Sequence, residues 1–254
     1  MEGNGRVALV TGGGRGIGRA ISLGLAEDGF DVAVNYRRDK DAADETVGEI
    51  TRMGRHGESF QASVDSFEET QAMLEAVVAG FGRLDAVVHN AGVTNRGRTV
   101  ADTELADLDR VMGIHAFGAH HVCKLAVPHL RGRPRGDVVL ISSQSTQSFD
   151  PNSAPYTMGK AALEALAYTL AREEARNGIR VNVVAGGLVN TEMGRRLAKG
   201  ALGVDDIHEL DGKVPLGRVC EPEDIASMVR FLVSDRCRLV TGQRIAVDGG
   251  GFGR

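Results

Sequence analysis

The chain has 254 residues, enough for one large α/β domain, and its 42% hydrophobic share allows a sizeable core. A formal net charge of −4, 4% aromatics and no Trp leave neither the basic field nor the stacking platform of a nucleic-acid binder. No apolar run reaches the roughly 20 residues that cross a bilayer, residues 1–6 do not read as a secretory leader, and Cys123, Cys220 and Cys237 are an odd number too widely spaced for a C-x-x-C pair and read as reduced thiols, not a disulfide frame or zinc site, so a cytoplasmic protein with no membrane partner is expected.

Short β-rich apolar runs alternate with longer helical patterns. Residues 6–11 predict a first strand, and 16–27 a helix closed near Gly29. A second strand follows at 31–36, a helix at 40–53, a third strand at 57–64, a helix at 67–81 and a fourth strand at 84–89. One long helix is expected over 103–130, a fifth strand over 137–142, and a helix over 154–176 stopped by Gly178. A sixth strand at 179–185, two helical patterns and a last short strand at 244–247 complete the chain. The runs VALV, AVV and VVLI are nearly continuous in apolar residues, as strands buried on both faces are. The alternation implies right-handed βαβ crossovers and a Rossmann-like, doubly wound parallel sheet of about seven strands, with helices on both faces. Residues 1–254 then form a single α/β domain. The polar stretch 190–213, with Gly200, Gly203 and Gly212, reads as a mobile substrate lid or as a surface helix pair.

The first strand leads into Thr11-Gly12-Gly13-Gly14-Arg15-Gly16-Ile17-Gly18. Small residues at a strand-to-helix turn let backbone N–H groups and a helix N-terminus meet a pyrophosphate. At the end of the second strand an acid would hold a ribose 2′-hydroxyl, whereas an Arg accommodates a 2′-phosphate. The chain has Asn35-Tyr36-Arg37-Arg38 there, and Arg15 in the loop, so the expected cofactor is NADP(H).

Tyr156 and Lys160 stand four apart in a predicted helix and share a face. A cation about 4 Å from a phenol, at an effective dielectric of about 20, is worth roughly 4 kcal/mol. That equals about three pKa units, enough to bring Tyr156 into the range of proton transfer.

With the glycine loop, His89-Asn90-Ala91-Gly92 and Tyr156-xxx-Lys160 in this order, the chain resembles the short-chain dehydrogenase/reductase family over nearly its whole length, including Val240-Thr241-Gly242-Gln243 and Val247-Asp248-Gly249-Gly250. Within it, the β-ketoacyl carrier-protein reductases look most similar. The resemblance implies that Tyr156 is the proton donor in reduction, that Lys160 tunes it and holds the ribose, and that Ser143 hydrogen-bonds the substrate carbonyl. It further implies that Asn90, Ala91 and Gly92 line the adenine-ribose side of the cleft, and that Gly187, the Val189 backbone and Thr191 meet the nicotinamide end. Three positions depart from the pattern. The family's catalytic Asn, whose carbonyl holds a water leading to the Lys, falls at His115; the imidazole offers a proton shuttle near neutral pH or simply fills the space. Gly186 replaces a Pro, which predicts a more pliable wall. Ser63 replaces an Asp beside the adenine, with the Val64 backbone and Asp65 as substitutes.

His120 and His121 are adjacent, point about 100° apart on a helix and are not expected to share a metal. Arg131, Arg133 and Arg135, with Arg172 and Arg176, form a basic patch for an acidic acyl carrier protein or an ordinary solvated loop. The Ala161, Ala162 and Ala165 face permits close helix packing, and family resemblance implies a homotetramer built through it. The expected activity is NADPH-dependent reduction of a β-ketoacyl thioester or similar carbonyl. Alternatives are a secondary-alcohol dehydrogenase acting on a sugar, steroid or other small hydroxyl compound, and a non-turnover NADP-binding sensor or scaffold.

Overall fold

The strands alternate in what they present to each face, and this places helices on both sides. In β1 (Val7–Thr11), Val7 and Leu9 pack into one apolar cluster while Ala8 and Val10 pack into the other, the period-2 consequence of a pleated strand. The computed structural model describes residues 5–251. Within it β2 (Asp31–Tyr36), β3 (Gly57–Gln61), β4 (Ala86–His89), β5 (Gly136–Ser143), β6 (Ile179–Gly186) and β7 (Arg244–Val247) join β1 in one sheet of order β3-β2-β1-β4-β5-β6-β7. Every pairing is parallel. The chain leaves β1 toward β2 on one side and returns beside β1 as β4 on the other, so a crevice opens past the C-terminal ends of these strands.

One face is covered by α1 (Gly16–Glu27), α2 (Lys40–Arg52) and α9 (Pro222–Val233). The other is covered by α3 (Phe67–Phe81), α5 (Gly118–Arg131) and α7 (Ala154–Glu174), with α4 (Leu105–Met112) lying against α7 and the single turn α6 (Ser145–Ser148) between β5 and α7. Local signals set the helix ends. Ser66 caps α3 by accepting from Glu69 N at 3.2 Å, and Gly82 closes it at φ +72°. Beyond α7 a short 3₁₀ turn, Ala175–Asn177, ends on Gly178 at φ +75°, the stop read from the sequence.

The long helix expected over 103–130 is one helical run with a defect. Gly113–Phe117 forms a π-helical turn between α4 and α5. A π-turn inserts an extra residue into a helix and frequently lies at a functional site; this one contains His115. The 190–213 stretch folds as α8 (Glu192–Leu197), a second π-turn at Ala198–Leu202 and a 3₁₀ segment at Ile207–Lys213. It has a small core of its own, Ala198, Ile207, Leu210, Val214 and Val219, backed by Leu188 and Val204.

Candidate active site

The glycine loop at the end of β1 is built for close backbone approach. Gly12 and Gly16 have φ of +61° and +53°, a region that side chains rarely enter. A Cβ on Gly18 would lie 2.0 Å from the Gly12 carbonyl oxygen, and one on Gly14 2.9 Å from the Ala43 backbone. Ile17 packs beside these glycines against the core under α1. Two amides hold the loop from behind. Asn35 accepts from Gly12 N at 3.2 Å and donates to the Phe60 and Ala62 carbonyls at 3.2 and 3.1 Å. Asn90 donates to the Thr11 and Gly12 carbonyls, both at 3.1 Å. Asn90 N and Ala91 N in turn donate to Thr11 Oγ1. Asn90 therefore braces the loop, which the motif alone did not show.

Arg37 and Arg38 are exposed just past β2. Arg15 is also exposed and reaches Glu192 at 3.2 Å and Asp39 at 3.9 Å. Ser63 is occupied locally: its hydroxyl bonds Asp65 and its N–H donates to Glu69 at 2.8 Å. The Val64 carbonyl accepts from His121 Nδ1 at 3.1 Å. Asp65 thus sits beside Ser63.

The opposite wall comes from the residues after β6. Gly186 lies within the ladder opposite Ser143 and Val247, and its carbonyl accepts from Gln144 N at 3.0 Å. Gly187 N donates to the Val247 carbonyl, and a Cβ on Gly187 would lie 3.0 Å from that of Asp248. The expected pliable turn is thus tied into the sheet by hydrogen bonds on both sides. Val189 pairs with Cys220, and Thr191 caps α8 by accepting from Gly194 N at 3.0 Å. A Cβ on Gly16 would lie 3.3 Å from Thr191 Cγ2, so Thr191 stands directly against the glycine loop.

At the end of β5, alternation separates the serines. Ser142 is buried and donates to Glu164 at 2.5 Å. Ser143 faces the other way, its hydroxyl on the side of the Tyr156 phenol, and its Oγ accepts from Ser145 N at 3.2 Å. Lys160 is 4% exposed and donates to the Ile141 carbonyl at 2.8 Å, its Nζ lying 5.8 Å from the centre of the Tyr156 ring. Ser143, Tyr156 and Lys160 thus meet at the C-terminal end of β5.

The electrostatics differ from the sequence expectation. Burial raises the Tyr156 phenol above its ordinary pKa, and the Ser143 hydrogen bond only partly opposes this. Burial also pushes Lys160 down to about 7, against the pull of Glu164. The ammonium is turned to a backbone carbonyl, and burial of the phenol, not the Lys160 charge, sets the direction of the Tyr156 shift. Helical spacing fixes a shared face, while desolvation of both groups is decided by what packs over that face.

His115 is fully buried. Its Nε2 lies 2.8 Å from the Val93 carbonyl, and its ring meets Tyr156 edge to face at 5.2 Å between centres. A Cβ on Gly92 would come within 2.7 Å of the imidazole Cε1, and one on Gly159 within 2.9 Å of the His115 Cβ. His115 fills the volume that these two glycines leave. Burial, and then the nearby Lys160 charge, holds its pKa well below the usual histidine value. Of the two readings of His115, proton shuttle or space-filler, this packing and this burial support the space-filler. His89 behaves alike: burial, and then Lys160, pushes it down to about 3. Thr11 Oγ1 already accepts from two backbone N–H groups, so its own proton goes to His89 Nδ1, 3.2 Å away. The mobile proton of His89 then resides on Nε2.

Outside the cleft the basic loop is largely self-paired. Arg131 grips Glu174 at 2.8 and 2.5 Å, and Arg135 bonds Asp137 and Asp235 at 3.1 and 2.8 Å. His120 is exposed, and its ring centre is 6.4 Å from that of His121. Sequence reasoning missed Asn35, His89, Glu164 and Arg244. Asn35 and His89 stand inside motifs that gave no hint of their own roles, and Glu164 and Arg244 are common residue types without motif spacing that only the fold brings to the site.

A family model described as Enoyl-(Acyl carrier protein) reductase matches residues 12–251. The 3-oxoacyl-[acyl-carrier-protein] reductase FabG of Staphylococcus aureus is 38% identical over 244 residues, covering 96% of each chain. Among solved structures, a short chain dehydrogenase from Burkholderia cenocepacia in complex with NADP has a TM-score of 0.90 at 32% identity, covering 98% of this chain and 99% of the other. An NAD+-bound xylitol dehydrogenase has a TM-score of 0.91 at 29% identity, covering 99% of this chain and 100% of the other.

Proposed function

The chain belongs to the short-chain dehydrogenase/reductase family, and we propose that it reduces the keto group of a 3-oxoacyl thioester with NADPH. It is an oxidoreductase acting between CH–OH and C=O groups. The observation that carries the reading is the meeting of the Ser143 and Tyr156 hydroxyls over Lys160, on the crevice that the glycine loop closes from the other side.

The glycine loop fits a dinucleotide: its backbone is bare where a pyrophosphate would approach, and α1 begins there. Gly12, Gly14, Gly16, Ile17 and Gly18 would hold the phosphates, Ala91 and Gly92 the ribose side, and Gly187, Val189 and Thr191 the nicotinamide end. Arg15, Arg37 and Arg38 would take the 2′-phosphate. Asn35, where an acid would select NAD, is spent on backbone contacts, which favours NADPH although one structural neighbour carries NAD+. When bound, the cofactor supplies a hydride to the carbonyl carbon.

Ser143 donates a hydrogen bond to the carbonyl oxygen and fixes its position. Tyr156 delivers a proton to the same oxygen as charge develops on it. A phenol held above its ordinary pKa stays protonated at neutral pH, which suits the acid required for reduction. Lys160, held on the Ile141 carbonyl with its Nζ 5.8 Å from the centre of the Tyr156 ring, supplies the charge nearest to the phenolate left behind.

The residues 190–213 serve as a substrate lid, hinged where α8 leaves Thr191. The chain assembles with itself through the exposed face of α7, where Met158, Ala161, Ala165 and Tyr168 align; a homotetramer is expected by light scattering. An acyl carrier protein would dock through Arg172 and Arg176, which are exposed, since Arg131 and Arg135 are paired internally. The decisive experiment measures NADPH oxidation with acetoacetyl, crotonyl, sugar and steroid substrates. Turnover confined to the 3-oxo thioester, with NADPH preferred over NADH, is the expected result. Reduction of the crotonyl thioester alone, or tight NADPH binding without turnover on any substrate, would overturn it.

A further inference from the structure

Behind the catalytic serine lies a polar cross-link that the reaction as described does not use. Arg244, on the edge strand β7, is buried to 10% side-chain exposure, and its Nε donates to Glu164 Oε1 at 3.0 Å. Its Nη2 donates to the Ser143 carbonyl at 3.2 Å, to Gln144 Oε1 at 2.6 Å and to Thr146 Oγ1 at 3.2 Å. Glu164 Oε1 also accepts from Ser142 Oγ at 2.5 Å and from Thr146 Oγ1 at 2.9 Å. Glu164 sits one helical turn beyond Lys160 on α7, the helix that also carries Tyr156. One ion pair thus joins the three pieces that must agree in position: the end of β5 with Ser143, the helix with Tyr156 and Lys160, and the edge strand.

We propose that Arg244 and Glu164 are positioning residues that set the register of Ser143 against Tyr156 and Lys160. The inference rests on the reductase reading above. A buried ion pair adds little net stability over apolar packing of the same volume, so its attachment to Ser143, Gln144 and Thr146 together calls for another role. Misplacement of a reacting group by about 1 Å can cost roughly 10²-fold in rate, and among the contacts of the described residues this pair is the brace that links the Ser143 carbonyl to α7 through charged groups. Glu164 also faces Lys160, whose other charged or titratable neighbours are His89 from β4, His115 from the π-turn and Tyr156 from its own helix, with Arg244 standing behind Glu164.

The test compares R244Q, R244K, E164Q and the double variant E164Q/R244Q in the full chain. It records kcat, KM, NADPH dissociation constant, thermal midpoint and pH–rate profile. R244Q should lose about 10- to 100-fold in kcat with NADPH affinity changed by less than about twofold, and the double variant should be no slower than R244Q, because both changes cut the same brace. R244K should recover part of the rate, since one ammonium keeps Glu164 paired but cannot fork to residues 143–146. E164Q should move the limb of the pH profile that reports Lys160 to lower pH, which a merely structural role would not do. Wild-type kcat in folded R244Q, whatever its thermal midpoint, would overturn the proposal. Should R244Q fail to fold, R244K and E164Q keep the space filled and decide the matter in its place: wild-type kcat in both would overturn the brace. Y156F is the control: undiminished turnover there sinks the reductase reading itself, and with Y156F dead an unaffected R244Q sinks only the brace.

Discussion

At the amino-terminal end of the sheet, buried charge is met by opposite charge. Asp137 is 2% exposed and accepts from Arg6, Arg135 and Arg180 at 2.6, 3.1 and 2.5 Å, while Asp85, beside it, takes Arg83 through both oxygens at 2.7 Å. At the carboxyl-terminal end, Lys160, His89 and His115 are equally buried, yet among the described residues no carboxylate touches any of them directly; Glu164 acts on Lys160 from a turn away. The first arrangement locks strand ends together. The second leaves bases whose protonated forms are expensive, and Lys160 alone of the three remains close to neutral pH. The difference follows from what each end must do: a fold needs its strand starts fixed, and proton transfer needs a group free to change charge.

The contrast is broken most severely by Tyr156→Phe. Loss of a positioned proton donor removes about 10²–10⁴ in rate, so kcat should fall by roughly that factor while NADPH binding and thermal midpoint stay near wild type. Equal kcat in the variant would show that the carboxyl-terminal cluster is not the chemical end. Asp137→Asn attacks the other end. It strips the charge partner from three arginines and should cost about 3–5 kcal/mol of stability, a fall in thermal midpoint of roughly 10 °C. Turnover measured well below the transition should be unchanged; a matching loss of kcat would mean the two ends are coupled.

Gly159→Ala sharpens the picture of the catalytic end. The added Cβ would approach the His115 Cβ to 2.9 Å, and neither atom is the tip of a flexible chain. Overpacking of this kind costs about 1–3 kcal/mol. If His115 is the cause, His115→Gly, which removes that Cβ, should relieve most of the penalty in the same chain, giving a clear coupling in a double-mutant cycle. Additive effects would mean that Gly159 is required for some other neighbour.

Much of this was readable in advance. The strands announced themselves because burial on both faces demands continuous apolar runs, and the glycine loop because backbone must approach backbone at Gly12 and Gly18. Ser143, Tyr156 and Lys160 lie together at the end of β5, a placement that the family resemblance implied and that sequence spacing alone did not. What could not be read was decided by contacts distant in sequence. The π-turn at Gly113–Phe117 has neither a proline nor any break in its helical pattern to betray it. The role of His115 depends on two glycines from other elements. The direction of the Tyr156 shift depends on desolvation, which spacing does not encode, and Arg244 reaches Glu164 across 80 residues.

The smallest expected effect tests the electrostatic half of the comparison in the cofactor-free protein. Lys160 has a folded pKa of about 7, below the unfolded value of about 10.4. Between those values the unfolded chain holds a proton that the folded chain has released, so stability rises with pH there, by at most about 1.4 kcal/mol per pH unit. The buried thiols act oppositely: Cys123 and Cys220 are pushed up to about 12 and about 11, so above about pH 8.5, where an unfolded thiol ionises, they favour unfolding. The clean window is therefore about pH 7 to 8.5. Across it the thermal midpoint should climb by a few degrees, at about 2–4 °C per kcal/mol. Lys160→Met should flatten that climb, whereas Asp137→Asn should lower the whole curve and keep its slope. A slope that survives in Lys160→Met would assign the titration to another group and remove the asymmetry between the two ends of the sheet.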